Sequence, residues 1–481
     1  MKKSFWFAAV FMVLALISLP FAIRRVDGGK EEIIIAREVL SGDLAAAEGI
    51  ILQTAACWDG HLFWNTVYAA DSGKEAESSF TFASRHVSWD LVPIKSAQLR
   101  PEGGAGFGSA FTDVAAVVNP DNLPFSEIIK AVAEKAAAGE TYSCQMRIGD
   151  YYEYYPLVLD LEGVSVIYEG DYQKVCGWLS DFFHISTAED RFDVTVGKDF
   201  GGQLVSVSAG VDQGEQQTDI TGASAFGEDG FYCIFCLEDM DTGAGVDRGQ
   251  NKGIFFFPWE QEKQDLFHLD LTQVRKACEY PGEGVPLQML LEEEEGRIYL
   301  TVREQEEYWL WVYEIEEDGL VPVQKLSVGK SSFDLCRMLL GEEGILFTWD
   351  NNEFSFAIRE EEGFRLWCSG EFPQDPEKTR IGGNPFPREN VCLFDGERLV
   401  LAAFEDWFEM NVLLAVYDGS GMVYSGLYYN GGKPDPEIPF AMSAYGIVPQ
   451  GPRLWKTDNI FEAGTEGNVR PLEIFLHTQK D

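Results

Sequence analysis

Short runs of apolar residues alternate with glycine-containing turns along most of the chain, and the clearest unit is Leu413 to Tyr428, LLAVYDGSGMVYSGLY. Two runs rich in β-branched and aromatic residues flank Asp418-Gly419-Ser420-Gly421, whose residues supply positive φ, so the stretch predicts a β-hairpin. Looser copies recur. An acidic residue plus glycine leads into an apolar run at Asp229-Gly230, Glu295-Gly296, Glu343-Gly344 and Asp395-Gly396, at intervals of 66, 48 and 52 residues, with earlier instances at Asp59-Gly60 and Glu162-Gly163. A second signature sets Val-Tyr before an acidic turn at Val67-Tyr68, Val312-Tyr313 and Val416-Tyr417. Each unit therefore predicts a leading turn, two or three strands and a later hairpin. A four-stranded blade takes ~40–50 residues in propeller repeats, and a radial array leaves few open edges. The expected fold class is all-β, a β-propeller of six to eight blades with seven favoured; a tandem of β-domains is the alternative.

The remaining strand candidates are Ile50 to Cys57 and His61 to Ala69 as a first hairpin, then Ser79 to Ala83, Tyr151 to Leu161, Val164 to Tyr168, Phe192 to Val196, Leu204 to Ser208 and Phe231 to Leu237. Later ones are Ile254 to Phe257, Ile298 to Val302, Tyr308 to Ile315, Ile345 to Trp349, Phe354 to Arg359, Phe364 to Cys368 and Arg398 to Phe404. Two stretches carry the helical period instead. Residues 124–138 begin with Pro124, end before Gly139 and space Ile128, Val132 and Ala136 four apart. Residues 171–183 put Val175, Trp178, Leu179 and Phe182 on one face. Both read as helical insertions packed on the sheets.

The amino-terminal pattern is different in kind. Lys2-Lys3 precede an apolar run from Phe5 to Ile23, interrupted only by Ser18 and Pro20 and closed by Arg24-Arg25. The run approaches the ~20 residues a membrane helix needs and exceeds the ~7–15 apolar residues of a cleaved signal peptide, and Pro20 and Ala22 make a poor cleavage site. The expected organisation is a cytoplasmic terminus at 1–3, a transmembrane signal anchor at 4–23, a juxtamembrane stalk at 24–44 and a β-propeller-like extracytoplasmic domain at 45–481. Within the stalk, Glu31 to Leu40 reads equally as strand or helix. Asp43 through Gly49 reads as a cap, a single helical turn and a glycine stop.

Composition supports a folded, β-rich chain: 481 residues, 46% hydrophobic and 13% aromatic, with 48 Gly. The charge narrows the partners. With 79 Asp and Glu against 37 Lys and Arg, the formal net charge of −42 repels phosphate backbones, so nucleic acid is excluded as a partner. Acidic runs at Glu292 to Glu295 and Glu360 to Glu362 sit beside strands, as solvated turns that discourage strand addition.

Catalytic chemistry finds little support in the motifs. The cysteines Cys57, Cys144, Cys176, Cys233, Cys236, Cys278, Cys336, Cys368 and Cys392 are odd in number and scattered, without a disulfide framework. Cys233 and Cys236 have CxxC spacing inside a strand, where they point to opposite faces and read as structural residues. His61, His86, His184, His268 and His477 are far apart in sequence. Gly222-Ala223-Ser224-Ala225-Phe226 lacks the last glycine of a nucleophile elbow, and Gly329-Lys330-Ser331 has Gln324 where a phosphate loop needs glycine. Gly103 to Gly108 reads as a loop. Asp239-Met240-Asp241-Thr242-Gly243 begins like a calcium loop but continues with Ala244 and Gln250 in place of Gly and Glu. No catalytic, cofactor-binding or metal-ligating residue is assigned, and no cofactor is expected.

Several segments resemble one family: the amino-terminal anchor, Ser41-Gly42-Asp43 with Ala46-Ala47-Glu48-Gly49, Leu62-Phe63-Trp64, Tyr155-Pro156-Leu157 and Leu414-Ala415-Val416-Tyr417-Asp418. Together they are similar to membrane-anchored, β-propeller-like extracytoplasmic proteins of Gram-positive, clostridial-type bacteria, a family that brings no known catalytic residue. The resemblance implies a bacterial envelope protein in the cell membrane. The function expected is a membrane-tethered binding or scaffolding module for a protein or glycan partner, leaning away from an enzyme. The alternatives are an envelope hydrolase or lyase using Asp and Glu on a polysaccharide or lipid, and a sensor or accessory subunit of a membrane complex.

Overall fold

A computed structural model describes residues 11–21, 24, 35–58, 62–71, 77–82, 95–102, 110–170, 172–187, 189–214, 217–263, 266–280, 282, 284–361, 363–373, 386, 390–404, 411–430 and 473–478. The described chain is mostly antiparallel β-sheet, and its internal contacts gather into two compact units, Val92–Ser332 and the combination of Met1–Leu91 with Phe333–Asp481. The contacts group the first strands of the chain with the last ones.

In the unit made of the chain's two ends, Leu335–Leu340, Gly344–Trp349, Glu353–Glu360 and Gly363–Glu371 form a four-stranded meander. A second meander runs Asn390–Phe394, Leu399–Phe404, Val412–Asp418 and Gly421–Asn430, and Ile35–Gly42 adds to its outer edge. A third sheet orders Glu473–Thr478, Ile50–Trp58, Leu62–Ala69 and Glu77–Phe82, so that a strand near the carboxy terminus supplies its first position. The middle sheet is buried on both faces. Leu399, Leu401 and Ala403, with Leu413, Ala415 and Tyr417, pack with Leu339, Leu346, Phe354 and Phe356. Val400 and Ala402, with Val412, Leu414 and Val416, pack with Ile50, Leu52 and Tyr68. The period of two thus sends alternate residues of one strand into different cores, which is why these strands read as unbroken apolar runs.

The unit Val92–Ser332 contains a further meander, Val285–Glu292, Arg297–Glu304, Glu307–Glu316 and Gly319–Lys330. Its Ile298, Leu300, Val302 and Tyr313 pack with Ala223, Tyr232, Ile234 and Ile254 of a seven-stranded sheet. That sheet is built on Thr218–Phe226, Gly230–Asp239 and Ile254–Lys263, and it contains a parallel pair, Leu266–Leu269 with Ser165–Tyr168. Its other face, Phe231, Cys233, Phe235 and Phe257, joins the largest core with both helices. Ser96–Pro101 pairs with Leu157–Glu162, and a last sheet orders Ala110–Val114, Leu204–Asp212, Arg191–Lys198 and Thr141–Arg147.

The two sequence signatures fall on repeated positions. Asp229-Gly230, Glu295-Gly296, Glu343-Gly344 and Asp395-Gly396 each lie at the turn between the first and second strands of a sheet. Val67-Tyr68, Val312-Tyr313 and Val416-Tyr417 each lie in a third strand. At Gly344 the demand is for space, since an added Cβ would stand 2.2 Å from the Ala357 carbonyl oxygen on the neighbouring strand. At Gly296 and Gly396 it is for positive φ, 61° and 95°.

The insertion expected over 124–138 is an α-helix only across Ser126–Ala133. The amides of Lys135 and Ala136 bond back three residues, to Val132 and Ala133, which tightens the chain into turns before Gly139. The second helix spans Tyr172–Phe183. At the amino terminus residues 11–21 are helical, and Phe11, Leu14, Ile17 and Phe21 are among their exposed side chains. Among the described residues no helix is long and apolar enough to cross a membrane. Residues 11–21 rise about 16 Å at ~1.5 Å per residue, against a hydrocarbon core of ~30 Å. Positions 4–10, 22 and 23 of the expected span lie outside the described residues.

Candidate interaction surface

The sheet made of Ala110–Val114, Leu204–Asp212, Arg191–Lys198 and Thr141–Arg147 is covered on one face only. Phe192, Val194, Val196, Val207 and Ala209 point into the core, where Ile128, Ile129 and Val132 of the first insertion helix join them. The opposite face carries small polar side chains. Register places Thr112, Ser208, Thr195 and Ser143 side by side across all four strands. The Thr112 and Ser208 hydroxyls are 3.2 Å apart, and those of Ser143 and Thr195 2.8 Å apart. In the next row Gly197 lies between Ser206 and Thr141, and an added Cβ there would meet Ser206 Oγ at 2.4 Å. Charges gather at the far end and satisfy one another: Arg191 donates to Gln145, Gln145 donates to Asp212, and Arg147 pairs with Glu189 at 2.6 Å.

The near end is apolar and exposed. From the last paired residue, Val114, the segment Val114-Ala115-Ala116-Val117 runs past the start of the neighbouring strand, held by Ala115 N–H to Val205 O and Val118 N–H to Leu204 O. All four residues are exposed, Val114 by 74% and Val117 by 56%. The tip between Arg191–Lys198 and Leu204–Asp212 carries Phe200, 96% exposed, with its ring over the backbone of Gly139. Ala137 and Ala138, also exposed, follow the helix there and are fixed by Gly139 N–H to Asp199 O. Charged residues adjoin these positions along the chain: Asp113, Glu134, Glu140 and Asp199, with Lys135 and Lys198. Clustered exposed apolar residues rimmed by polar ones mark interaction sites, whereas single exposed apolar residues do not.

The motifs weighed in sequence lie elsewhere. Cys233 is fully buried in the large core, and burial pushes its thiol well above the ordinary range. Cys236 faces the opposite way, pushed up to about 12 by burial and then by the charge of Glu238. Both are protonated thiols at neutral pH, and Cys144, Cys278, Cys368 and Cys392 are free as well. The side chain of Cys57 lies outside the described residues. Asp239 Oδ1 accepts from the amides of Asp241 and Thr242 and from the Thr242 hydroxyl, so the acidic loop is closed on itself as a turn. Among the described residues no group of three His, Cys, Asp or Glu could hold a metal ion. His184 packs its ring on Tyr154, and His268 bonds Glu262 at 3.0 Å; the side chains of His61, His86 and His477 lie outside the described residues. Ser224 sits within Thr218–Phe226 and accepts from Ala97 N–H, and Gly329-Lys330 ends a strand. Gly103 to Gly108 lies outside the described residues.

Sequence reasoning passed over the ledge. Its signals were five consecutive apolar residues, Val114 to Val118, ahead of a proline turn, and an aromatic set in the tip Asp199-Phe200-Gly201-Gly202.

No known protein family matches the chain, and no curated protein does. Among solved structures it is similar to Sqt1 of Saccharomyces cerevisiae, with 10% identity over 41% of this chain and 44% of that one, and a TM-score of 0.24. The β-propeller domain of Cps50 (Swd1) from Myceliophteria thermophila gives 9% identity over 51% of this chain and 84% of that one, at 0.23. The Dos1 propeller gives 9% over 52% and 65%, at 0.25. At such scores these likenesses assign neither activity nor partner, and this chain spans less than half the length of the yeast protein.

Proposed function

We propose that the chain is a membrane-tethered, β-propeller-like binding module that holds a protein partner on the open face of the sheet ending at Phe200. The observation that carries this reading is the exposed ledge of Val114, Val117 and Phe200 beside the hydroxyl row. Apolar ledge and hydroxyl strip together offer an apolar anchor and orienting hydrogen bonds, the division of labour found in protein interfaces. The net charge of −42 favours a partner with Lys or Arg around an apolar pocket. The propeller reading draws its support from the recurring four-stranded meanders and from the sheet buried on both faces. The tether draws its support from the apolar run Phe5 to Ile23, and an extracytoplasmic domain from the single amino-terminal anchor ahead of a large domain, which is most simply an export device.

The full chain, purified from its own membrane with a photo-crosslinker at position 200, is expected to yield one dominant adduct. That adduct should vanish in a V114S/V117S background whose thermal melting is unchanged. Equal labelling in both backgrounds would reject the ledge as the docking site. A phosphatase fused after residue 40 is expected to be active; a silent fusion would place the domain in the cytoplasm.

A further inference from the structure

On one face of the meander Val285–Lys330, the strand Arg297–Glu304 presents Ile298, Leu300 and Val302 to the core and then ends in Glu304. Beside it Trp309, Trp311 and Tyr313 follow the same alternation, paired with Val302, Leu300 and Ile298. Lys325, on the edge strand Gly319–Lys330, lies opposite Trp311. Its ammonium stands 4.3 Å from the Trp309 ring centroid and 4.8 Å from that of Trp311. Both carboxylate oxygens of Glu304 accept from it, at 2.8 and 3.0 Å. Tyr280, whose hydroxyl donates to Gly284 O at 3.4 Å, lies at the same end of the strand, where Gly282 stands against both its ring hydroxyl and Glu304 Oε1. Two indole faces and a carboxylate around one nitrogen are the arrangement by which proteins recognise quaternary ammonium ligands. Here the occupant is the chain's own lysine.

A second observation points beyond the lysine. The indole nitrogens of Trp309 and Trp311 are buried and have no hydrogen-bond partner, and the Tyr313 hydroxyl is in the same condition. Buried donors of this kind are costly to leave unpaired, and a lysine has no acceptor to offer them. A ligand that brings both a cation and an oxygen would satisfy the carboxylate, the ring faces and an indole N–H together.

We propose that Trp309, Trp311 and Glu304 form a site for a small organic cation carrying a trimethylammonium group and an adjacent oxygen, with Lys325 as a built-in occupant. Lys325 reaches the site from an edge strand, and it can swing into solvent without unpairing a neighbouring strand on its outer side. Because the lysine competes, the free site is a fraction of the population and apparent affinity falls by that fraction. This site is separate from the ledge around Phe200 and stands or falls without it.

The test is calorimetric titration of the full-length protein with choline, and with tetramethylammonium as the cation lacking an oxygen. Lys325→Ala is expected to bind choline about tenfold or more tighter than the unaltered chain, and tetramethylammonium more weakly than choline. Adding Trp309→Ala to Lys325→Ala should abolish both signals, and adding Glu304→Gln should weaken them. Flotation with phosphatidylcholine vesicles separates the sources: binding of vesicles as well as free choline assigns a lipid headgroup, and binding of choline alone assigns a solute. Lys325→Met retains the alkyl cover over the rings and reports whether losing the charge alone unfolds the sheet. A folded Lys325→Ala protein that binds neither choline nor vesicles overturns the proposal, as does binding that survives Trp309→Ala.

Discussion

The Tyr155 hydroxyl donates to Asp190 Oδ2 at 2.5 Å, and the same oxygen is 2.6 Å from Arg248 Nη1. Tyr155 is fully buried, while the Asp190 and Arg248 side chains are only 6% and 12% exposed. The pair ties the loop after Gly245–Val246 to the strand pairing around Thr141–Arg147, since Asp190 O also accepts from Ile148 N–H. Breaking a buried ion pair from one side leaves the other charge without its partner. Asp190→Ala is therefore expected to destabilise the unit Val92–Ser332 by about 3–5 kcal/mol. Tyr155→Phe should cost about 1–3 kcal/mol, because Asp190 keeps Arg248. Urea denaturation followed by tryptophan fluorescence measures both, and an Asp190→Ala protein as stable as its parent would contradict the account.

The glycines of the recurring turns separate two physical demands. Gly344→Ala drives a Cβ toward the Ala357 carbonyl, a backbone atom that has no rotamer to move, and the expected cost is about 1–3 kcal/mol. Gly421 has φ of 129° with nothing within 4 Å of the new atom. Gly421→Ala should therefore lose only backbone strain, about 1 kcal/mol, and less than Gly344→Ala. Denaturant midpoints of the two variants give the order; the reverse order would show that the turn matters more than the strand approach.

These positions also show what the sequence could reveal. Acidic-Gly and Val-Tyr marks are local turn and strand chemistry, so they located the leading turns and third strands of several sheets. Ile35–Gly42 and Glu473–Thr478 complete sheets whose other strands lie hundreds of residues away, and no local pattern encodes that pairing. The helical period at 124–138 continues through Ala136, whereas the amides of Lys135 and Ala136 already bond back three residues, so the pattern reads longer than the helix. Phe200 and Lys325 were missed for a common reason: one owes its meaning to exposure and the other to two rings and a carboxylate on neighbouring strands, and neither is a spacing along the chain.

Around the strand from the amino-terminal side, Tyr428 and Arg37 share an acceptor. The Tyr428 hydroxyl donates to Ala70 O at 2.8 Å, and Arg37 Nη1 donates to the same oxygen at 2.8 Å. The Tyr424 hydroxyl lies 2.9 Å from that of Tyr428. These bonds join Gly421–Asn430 and Ile35–Gly42 to the end of Leu62–Ala69. Tyr428→Phe removes both bonds of its hydroxyl and strands the buried Tyr424 hydroxyl, an expected loss of about 1–3 kcal/mol. The double variant with Tyr424→Phe should recover part of it, because no polar group is then left unpaired. A double variant less stable than the sum of the singles would reject the pairing.

Buried hydroxyls and thiols set the alkaline limit. Burial first raises the hydroxyls of Tyr155, Tyr417 and Tyr428 above the ordinary tyrosine value, helped next by Asp190 at Tyr155, by Cys368 and Glu371 at Tyr417 and by the Tyr424 hydrogen bond at Tyr428, and burial alone does so for Tyr68. Cys233 and Cys392 are raised by burial in the same direction. A group whose folded value lies above its unfolded one stabilises the fold fully below the unfolded value, and loses that contribution as pH rises toward the folded value. Unfolded cysteine and tyrosine titrate near about 8.5 and 10, so stability should hold from neutral pH to about 8.5 and then fall with increasing slope above about 10. Urea midpoints across that range measure it. Tyr428→Phe should flatten the slope above pH 10, since one fewer proton is released on unfolding; an unchanged slope would mean that Tyr428 already ionises within the fold.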